Sequence, residues 1–395
     1  LLGQRGFTSI RMGNNGKSPI ERLLKSSHVM PPTENNTMQL LDPGIVAYNA
    51  IVKHIQEAKH SILISTYLLH NDSVGCTIIE MLTEKAKEGV QICLLLDTIG
   101  SFLKFPRSKL RPLKKAGGLV RYIMPLFHTP FRGRVNLRDH RKIMIFDGET
   151  AIMGGMNLAL EYLGPLPDPK RWIDLNILLQ GGTVKDLLSV YESDWKFSAS
   201  NMEHKSYRTP QISNSKPGNA LMQIVASGPD MITDALYDSV ISSIYNATES
   251  IYIVTPYFIL DDALQKAFMI AIRRGVDVNI ILPLHSNHKI PDLIRSINIR
   301  KLHDEGARIW FYPKMIHAKT MIFDEKLAIV GSANFDLRSL LLNFEISCFI
   351  YSKTQIELVQ NWVNTLLPKC STKLYKPSLI HMWIEDAAQL IKPLV

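Results

Sequence analysis

His140-Arg141-Lys142-Ile143-Met144-Ile145-Phe146-Asp147, followed after six residues by Gly154-Gly155-Met156-Asn157, is the stretch on which the reading of this chain turns. It recurs 177 positions later as His317-Ala318-Lys319-Thr320-Met321-Ile322-Phe323-Asp324, then Gly331-Ser332-Ala333-Asn334. Histidine, lysine, aspartate, the small pair and asparagine keep the same intervals in both. Lys142–Phe146 and Lys319–Phe323 read as buried strands, and in an extended chain residues two apart share a face, which puts each histidine beside its lysine. Asp147-Gly148 reads as a tight hairpin turn with Ala151–Met153 returning beside it. The small pairs, Gly155 and Ser332 among them, would let backbone approach a ligand. Asn157 and Asn334 add neutral donors. An imidazole, a fixed positive charge, an amide and open backbone together suit a phosphate.

The duplication reaches beyond the motifs. Ala58–Thr66 (AKHSILIST) parallels Ala247–Thr255 (ATESIYIVT), and Gly89-Val90 before Leu94-Leu95-Leu96 parallels Gly275-Val276 before Ile280-Ile281-Leu282. In each case a helix stops at glycine and a buried strand follows. Ile45, Tyr48, Val52 and Ile55 run at helical spacing, as do Ile232, Leu236, Val240 and Ile244. Strands alternating with helices predict α/β domains with largely parallel sheets covered on both faces. The reading is a polar, membrane-proximal segment over 1–38, a first domain over 39–198, a linker over 199–219 and a second domain over 220–395. One half-site per copy then predicts a pseudo-two-fold molecule with a single active site at the domain interface.

A chain of 395 residues that is 46% hydrophobic and 21% charged excludes wholesale disorder and allows two domains. Cys76, Cys93, Cys348 and Cys370 are scattered without Cys-x-x-Cys spacing, so they read as small buried hydrophobes. Histidines show no metal-ligand spacing, and neither a metal nor another cofactor is expected. No run of about 20 apolar residues could span a bilayer. Within a total charge of +9, residues 101–142 hold twelve basic residues against the single acid Asp139. Lys104, Phe105, Arg107, Lys109, Arg111, Phe131, Arg132 and Arg134 thus form an expected contact set for an anionic membrane surface. A nucleic-acid groove would carry a similar composition.

Both copies fit the paired His-x-Lys-x4-Asp-x6-Gly-(Gly/Ser)-x-Asn pattern of the phospholipase D superfamily. Gly331–Glu345 (GSANFDLRSLLLNFE), Trp172-Ile173-Asp174, Asp194-Trp195 and Thr255-Pro256-Tyr257-Phe258 resemble bacterial cardiolipin synthases in particular. The resemblance implies two phospholipase D-like α/β/α sandwich domains. It also implies phosphatidyl transfer between phosphatidylglycerol molecules through a phosphohistidine, with glycerol released and cardiolipin formed. His140 is then the nucleophile and His317 the acid and base, although the residues alone leave those roles interchangeable. Lys142, Lys319, Asn157 and Asn334 would hold the phosphate oxygens. Each ring needs an acceptor to fix its tautomer; Asp174 is expected to orient His140, and Glu345 to orient His317. Asp147 and Asp324, at strand ends, are expected to be structural. The implied partners are anionic phospholipids and a membrane surface rather than nucleic acid. The implied location is the bacterial inner membrane, reached peripherally or through a segment upstream of Leu1. Two rivals share the motif: a hydrolytic phospholipase D and a nucleic-acid phosphodiesterase.

Overall fold

A computed structural model describes residues 18–124, 137–198, 207–212, 217–231, 233–374 and 385. Its strands are β1 (Thr33–Leu41), β2 (Ser61–Thr66), β3 (Gln91–Asp97), β4 (Leu119–Ile123), β5 (Ile143–Phe146), β6 (Thr150–Gly154), β7 (Asn176–Gln180), β8 (Ala220–Ser227), β9 (Ser250–Val254), β10 (Asp277–Pro283), β11 (Arg308–Tyr312), β12 (Thr320–Phe323), β13 (Leu327–Gly331) and β14 (Glu345–Ile350). They form one sheet in the order β11-β10-β9-β12-β13-β14-β8-β1-β7-β6-β5-β2-β3-β4. From the β8–β1 seam outward the two halves repeat each other strand for strand, as the duplicated sequence requires. At the seam Thr33 pairs with Met222 and Asn36 with Ala220, with an irregularity between. The buried Asn36 amide fills that irregularity, donating to Thr33 O and Ala220 O and accepting from Thr183 N.

The expectation of a largely parallel sheet needs correction. Only β2-β3-β4 and β9-β10-β11 pair in parallel; the other described pairings are antiparallel. The reason is local. Each motif is a hairpin, β5–β6 or β12–β13, and a three-residue connection can only reverse the chain.

Period-two alternation sorts the strand side chains between layers. Leu63, Cys93, Leu95, Ile143 and Ile145 face a core shared by both halves, beneath the helices Gly182–Phe197 and Lys353–Leu366. Ile62, Ile64, Leu94, Leu96, Met144 and Phe146 face the opposite core, under Gly44–Glu57 and Ser73–Lys87. The second half repeats this beneath Ala235–Asn246 and Asp262–Arg273. The result is helix layers on both faces of the sheet.

The expected boundary at residue 38 falls inside β1, which pairs with both β7 and β8. The preceding helix, Pro19–Ser26, buries Ile20 and Leu24 in the second half's outer core. Residues 18–38 are therefore part of the globule and not a polar appendage. Of the expected linker, Tyr207 and Thr209 bond Glu192 and Arg208 bonds Gln91, both acceptors lying in the first half. Cys93 and Cys348 are buried, whereas Cys76 and Cys370 are only half-buried. Among the described residues no helix is long and apolar enough to cross a membrane.

Candidate active site

The hairpins fix the start of the site. Asp147 and Gly148 have φ of 52° and 68°, and Asp324 has 53°, so both turns open with aspartate in the left-handed region. The Asp147 carboxylate accepts the N–H groups of Lys59, His60 and Ser61; Asp324 accepts those of Thr248, Glu249 and Ser250. Each aspartate thus binds the helix-to-strand corner that the AKHS and ATES segments spell. These bonds tie each turn to its corner, at the end of β5 or β12 opposite the one that follows the histidine.

β5 and β12 begin at Ile143 and Thr320, so the histidines and lysines lie in the extended approach just before the strands. That approach is stitched to the opposite half. His140 N donates to Phe344 O and Phe344 N to Arg138 O; His317 N donates to Ile173 O and Ile173 N to Met315 O. The residues that follow these anchors are Glu345 and Asp174. Each acid is therefore delivered across the interface to the other half's histidine. His140 Nδ1 lies 3.0 and 3.1 Å from the Glu345 carboxylate oxygens, and His317 Nδ1 lies 2.7 Å from Asp174 Oδ2. The expected pairing, Asp174 with His140 and Glu345 with His317, is reversed. Spacing along the chain placed each acid correctly in its own half but could not tell which half it serves.

The small pairs also need a different reading. A β-carbon on Gly155 would lie 2.1 Å from Asp174 Oδ1, so glycine there makes room for the acid and not for a ligand's approach. The Ser332 hydroxyl donates to Glu345 Oε2 at 2.5 Å and its carbonyl lies 3.1 Å from His140 Nδ1. Its polar groups are thus engaged with the acid and ring. The two positions are equivalent in the duplication: glycine admits aspartate directly, while serine braces the longer glutamate.

His140, His317, Asn157 and Asn334 all line one cavity of about 1030 Å³ between the halves. Lys142 and Lys319 are fully buried behind the rings. Lys142 Nζ donates to His140 O at 2.6 Å; Lys319 Nζ reaches His317 O and lies 2.6 Å from His317 Nδ1. Burial lowers both lysines, Lys142 to about 7 and Lys319 to about 8, despite nearby carboxylates. Burial alone would raise Asp174 and Glu345. Lys319 and His317 outweigh it for Asp174, and His140 and Lys142 for Glu345, so both acids stay below their ordinary values. Both imidazoles are pushed down by burial. His317, with Lys319 against it, falls to about 3. With each Nδ1 beside a carboxylate, Nε2 is the ring position left for chemistry, and Lys319 Nζ stands 3.1 Å from that of His317.

Several residues that frame the site were not assigned a role from sequence. Tyr67 meets His140 edge-on at 5.0 Å, while Tyr162 and Trp172 lie 5.0 and 5.6 Å from His317. Arg141, between His140 and Lys142, forms a buried 2.5 Å ion pair with Asp194 and donates to the carbonyls of Glu345 and Ser227. The second motif has Ala318 there, so this clamp exists once. Its one signal was the contrast with Ala318 at the matching place in the repeat.

The expected membrane-contact set divides. Phe105 is 1% exposed and belongs to the first half's outer core, so it is withdrawn. Local packing explains this: Phe105, Leu110 and Leu113 turn inward, and Leu103, at 83% exposure, turns out instead. Lys104, Arg107, Lys109 and Arg111 are exposed, and Lys104 stands at the cavity mouth. Phe131, Arg132 and Arg134 lie outside the described residues. Arg121, Arg138, Arg141 and Lys142 are buried, so the basic run is not one surface.

The profile of the family described as "Cardiolipin synthase, PLD-like domain" matches residues 51–183 and 240–367. The major cardiolipin synthase of Bacillus subtilis is 35% identical over 96% of this chain and 80% of its own length. A cardiolipin synthase of Clostridium perfringens is 32% identical over 92% of this chain and 78% of its own. Among solved structures, the phosphatidylserine synthase of Haemophilus influenzae superposes with a TM-score of 0.74, covering 96% of this chain and all of that one at 14% identity, a likeness of fold. On its matched residues and its near-full-length relatives, this chain belongs to the cardiolipin synthase family of phospholipase D-like enzymes.

Proposed function

We propose that this chain makes cardiolipin by moving a phosphatidyl group from one phosphatidylglycerol to another through a histidine adduct. The observation that carries the reading is the crossed pair of histidine–carboxylate couples opening on one cavity. In the first step the Nε2 lone pair of His140 attacks phosphorus. The bond from phosphorus to the glycerol oxygen breaks, and that oxygen takes a proton from His317 Nε2. In the second step His317 removes a proton from the acceptor hydroxyl. The new P–O bond forms and the P–N bond to His140 breaks.

One ring must hold a proton while the other does not, yet burial and Lys319 disfavour a proton on His317. The phosphodiester supplies the missing condition. Its negative charge offsets Lys142 and Lys319, so proton uptake by His317 is coupled to substrate entry. The same lysines, with Asn157, then face the charge that grows on the non-bridging oxygens.

The cavity mouth supports a membrane surface as the setting. Ile99 and Lys104 from the first half, and Lys289 and Ile290 from the second, are all exposed and all line the mouth, with Leu103 adjacent. Apolar tips between cations suit the headgroup region of an anionic bilayer. The test is to incubate the purified chain with phosphatidylglycerol vesicles in the presence of a chelator and identify products by mass spectrometry. Cardiolipin with free glycerol is expected. Phosphatidic acid alone would mean hydrolysis, and an absolute need for added metal would contradict the two-histidine scheme.

A further inference from the structure

The duplication makes the charges around the cavity comparable position by position, and they differ. Two residues before His140 stands Arg138, where Met315 stands before His317. Four residues after Asn334 stands Arg338, where Glu161 follows Asn157. Arg138, Arg338 and Glu161 all line the cavity. Both guanidiniums act on the Tyr67 hydroxyl and they repel each other, so they stand together beside the ring that meets His140 edge-on. One comes from each half, so the pair spans the interface as the histidines do. The matching places hold a thioether and a carboxylate.

Neither arginine sits as an ordinary surface cation. Arg138 is buried; its guanidinium donates to Met124 O at 3.4 Å, and its carbonyl accepts Phe344 N. Arg338 is half-buried on the short helix Leu337–Leu341, which Asp336 caps by accepting Ser339 N. The carboxylate that faces Arg138 is Asp97, and its oxygens already accept the N–H groups of Ile99, Gly100 and Asp139. Burial, with Arg338 nearby, holds Arg138 below the ordinary arginine value in spite of Asp97.

Transfer between two phosphatidylglycerols brings two phosphodiesters to one cavity. The first is the donor's, at the histidines, where Lys142 and Lys319 face it. The donor's diacylglycerol and its departing glycerol carry no charge. The second phosphodiester is the acceptor's, at the other end of the glycerol whose hydroxyl attacks. Out of bulk water the two anions repel each other strongly, and fixed positive charge is needed to seat the second. A guanidinium matches a phosphate with two parallel hydrogen bonds. We propose that Arg138 and Arg338 bind the phosphodiester of the acceptor lipid and so favour an anionic lipid over a neutral alcohol as acceptor. This rests on the transfer reading above and names the group that selects its second substrate.

A partition assay tests it without depending on how active a variant is. Phosphatidylglycerol vesicles are incubated with perdeuterated glycerol, so that one histidine adduct is shared between an anionic acceptor and a neutral one. The ratio of cardiolipin to deuterated phosphatidylglycerol is read by mass spectrometry. Arg338→Met, at the half-buried member of the pair, should lower that ratio about tenfold, the worth of one charge-assisted hydrogen bond. Arg338→Lys, which restores the charge without the fork, should recover part of it. Lys115→Gln removes an exposed cation that does not line the cavity, and should leave the ratio where it was. An unchanged ratio in Arg338→Met, whatever its rate, or an equal fall in Lys115→Gln, overturns the acceptor site while the transfer products still stand. If the wild type yields phosphatidic acid and neither transfer product, the transfer reading itself fails and takes the acceptor site with it.

Discussion

The half-site around His140 and the half-site around His317 descend from one repeat, yet only the reacting core has stayed alike. Each has a ring held at Nδ1 by a buried carboxylate, with a buried lysine behind it. Around His140 the acid is glutamate braced by Ser332, and Asn343 and Ser339 stand near it at the cavity wall. Around His317 the acid is aspartate admitted by Gly155, and the wall is Tyr162 and Trp172. Likeness persists where phosphorus chemistry demands it. Difference appears in the cavity walls around that core.

The largest effects should come from breaking what the halves share. His140→Ala and His317→Ala should each lower turnover by at least ~10²-fold, and the double variant should be little worse than either single one, because the rings act as a unit. Product formation from phosphatidylglycerol measures this; additive losses would speak against a shared phosphorus. Next come the crossed acids. Asp174→Asn should perturb the NMR signals of His317 far more than those of His140, and Glu345→Gln the reverse, with rates falling by about 10²-fold or more. A perturbation confined to the same-half histidine would restore the uncrossed pairing.

Smaller changes sharpen the difference between the rings. Lys319→Met removes a positive charge beside His317, so the pKa of that ring should rise from about 3 while that of His140 moves less. Histidine proton titration reads both. The same depression links to stability. The unfolded chain binds a proton on His317 near its ordinary 6.5 and the folded chain only near 3, so the native state loses stability as pH falls through that window. His317→Asn should flatten that part of the curve. Smallest for chemistry is Asp324→Ala, which should cost about 1–3 kcal/mol of stability through its lost backbone hydrogen bonds. The rate per folded molecule should stay near wild type, and denaturant unfolding combined with activity separates the two.

Much of this was legible in the residues. The repeat of His-x-Lys-x4-Asp set the hairpins, and the parallel between AKHSILIST and ATESIYIVT showed the duplication, but that Asp147 and Asp324 bind those corners came only from the structure. Glu345 and Asp174 were found as acids at comparable places, 21 residues after Asp324 and 27 after Asp147. Their partners were not, because which half an acid serves depends on the Phe344 and Ile173 bridges across the interface, and these leave no spacing in the sequence. Phe105 was misread for a related reason: alternation of charge and apolar residues does not say which side of a short helical segment faces the core.

The claim that both histidines serve one phosphorus is tested most directly with phosphatidyl-p-nitrophenol, whose leaving group needs no proton. The His317→Ala variant should release one equivalent of p-nitrophenol per chain and then stall, with a single phosphatidyl adduct mapped by mass spectrometry to the peptide carrying His140. Two adducts on one wild-type chain, at His140 and at His317 together, would instead mean two independent sites and contradict the account.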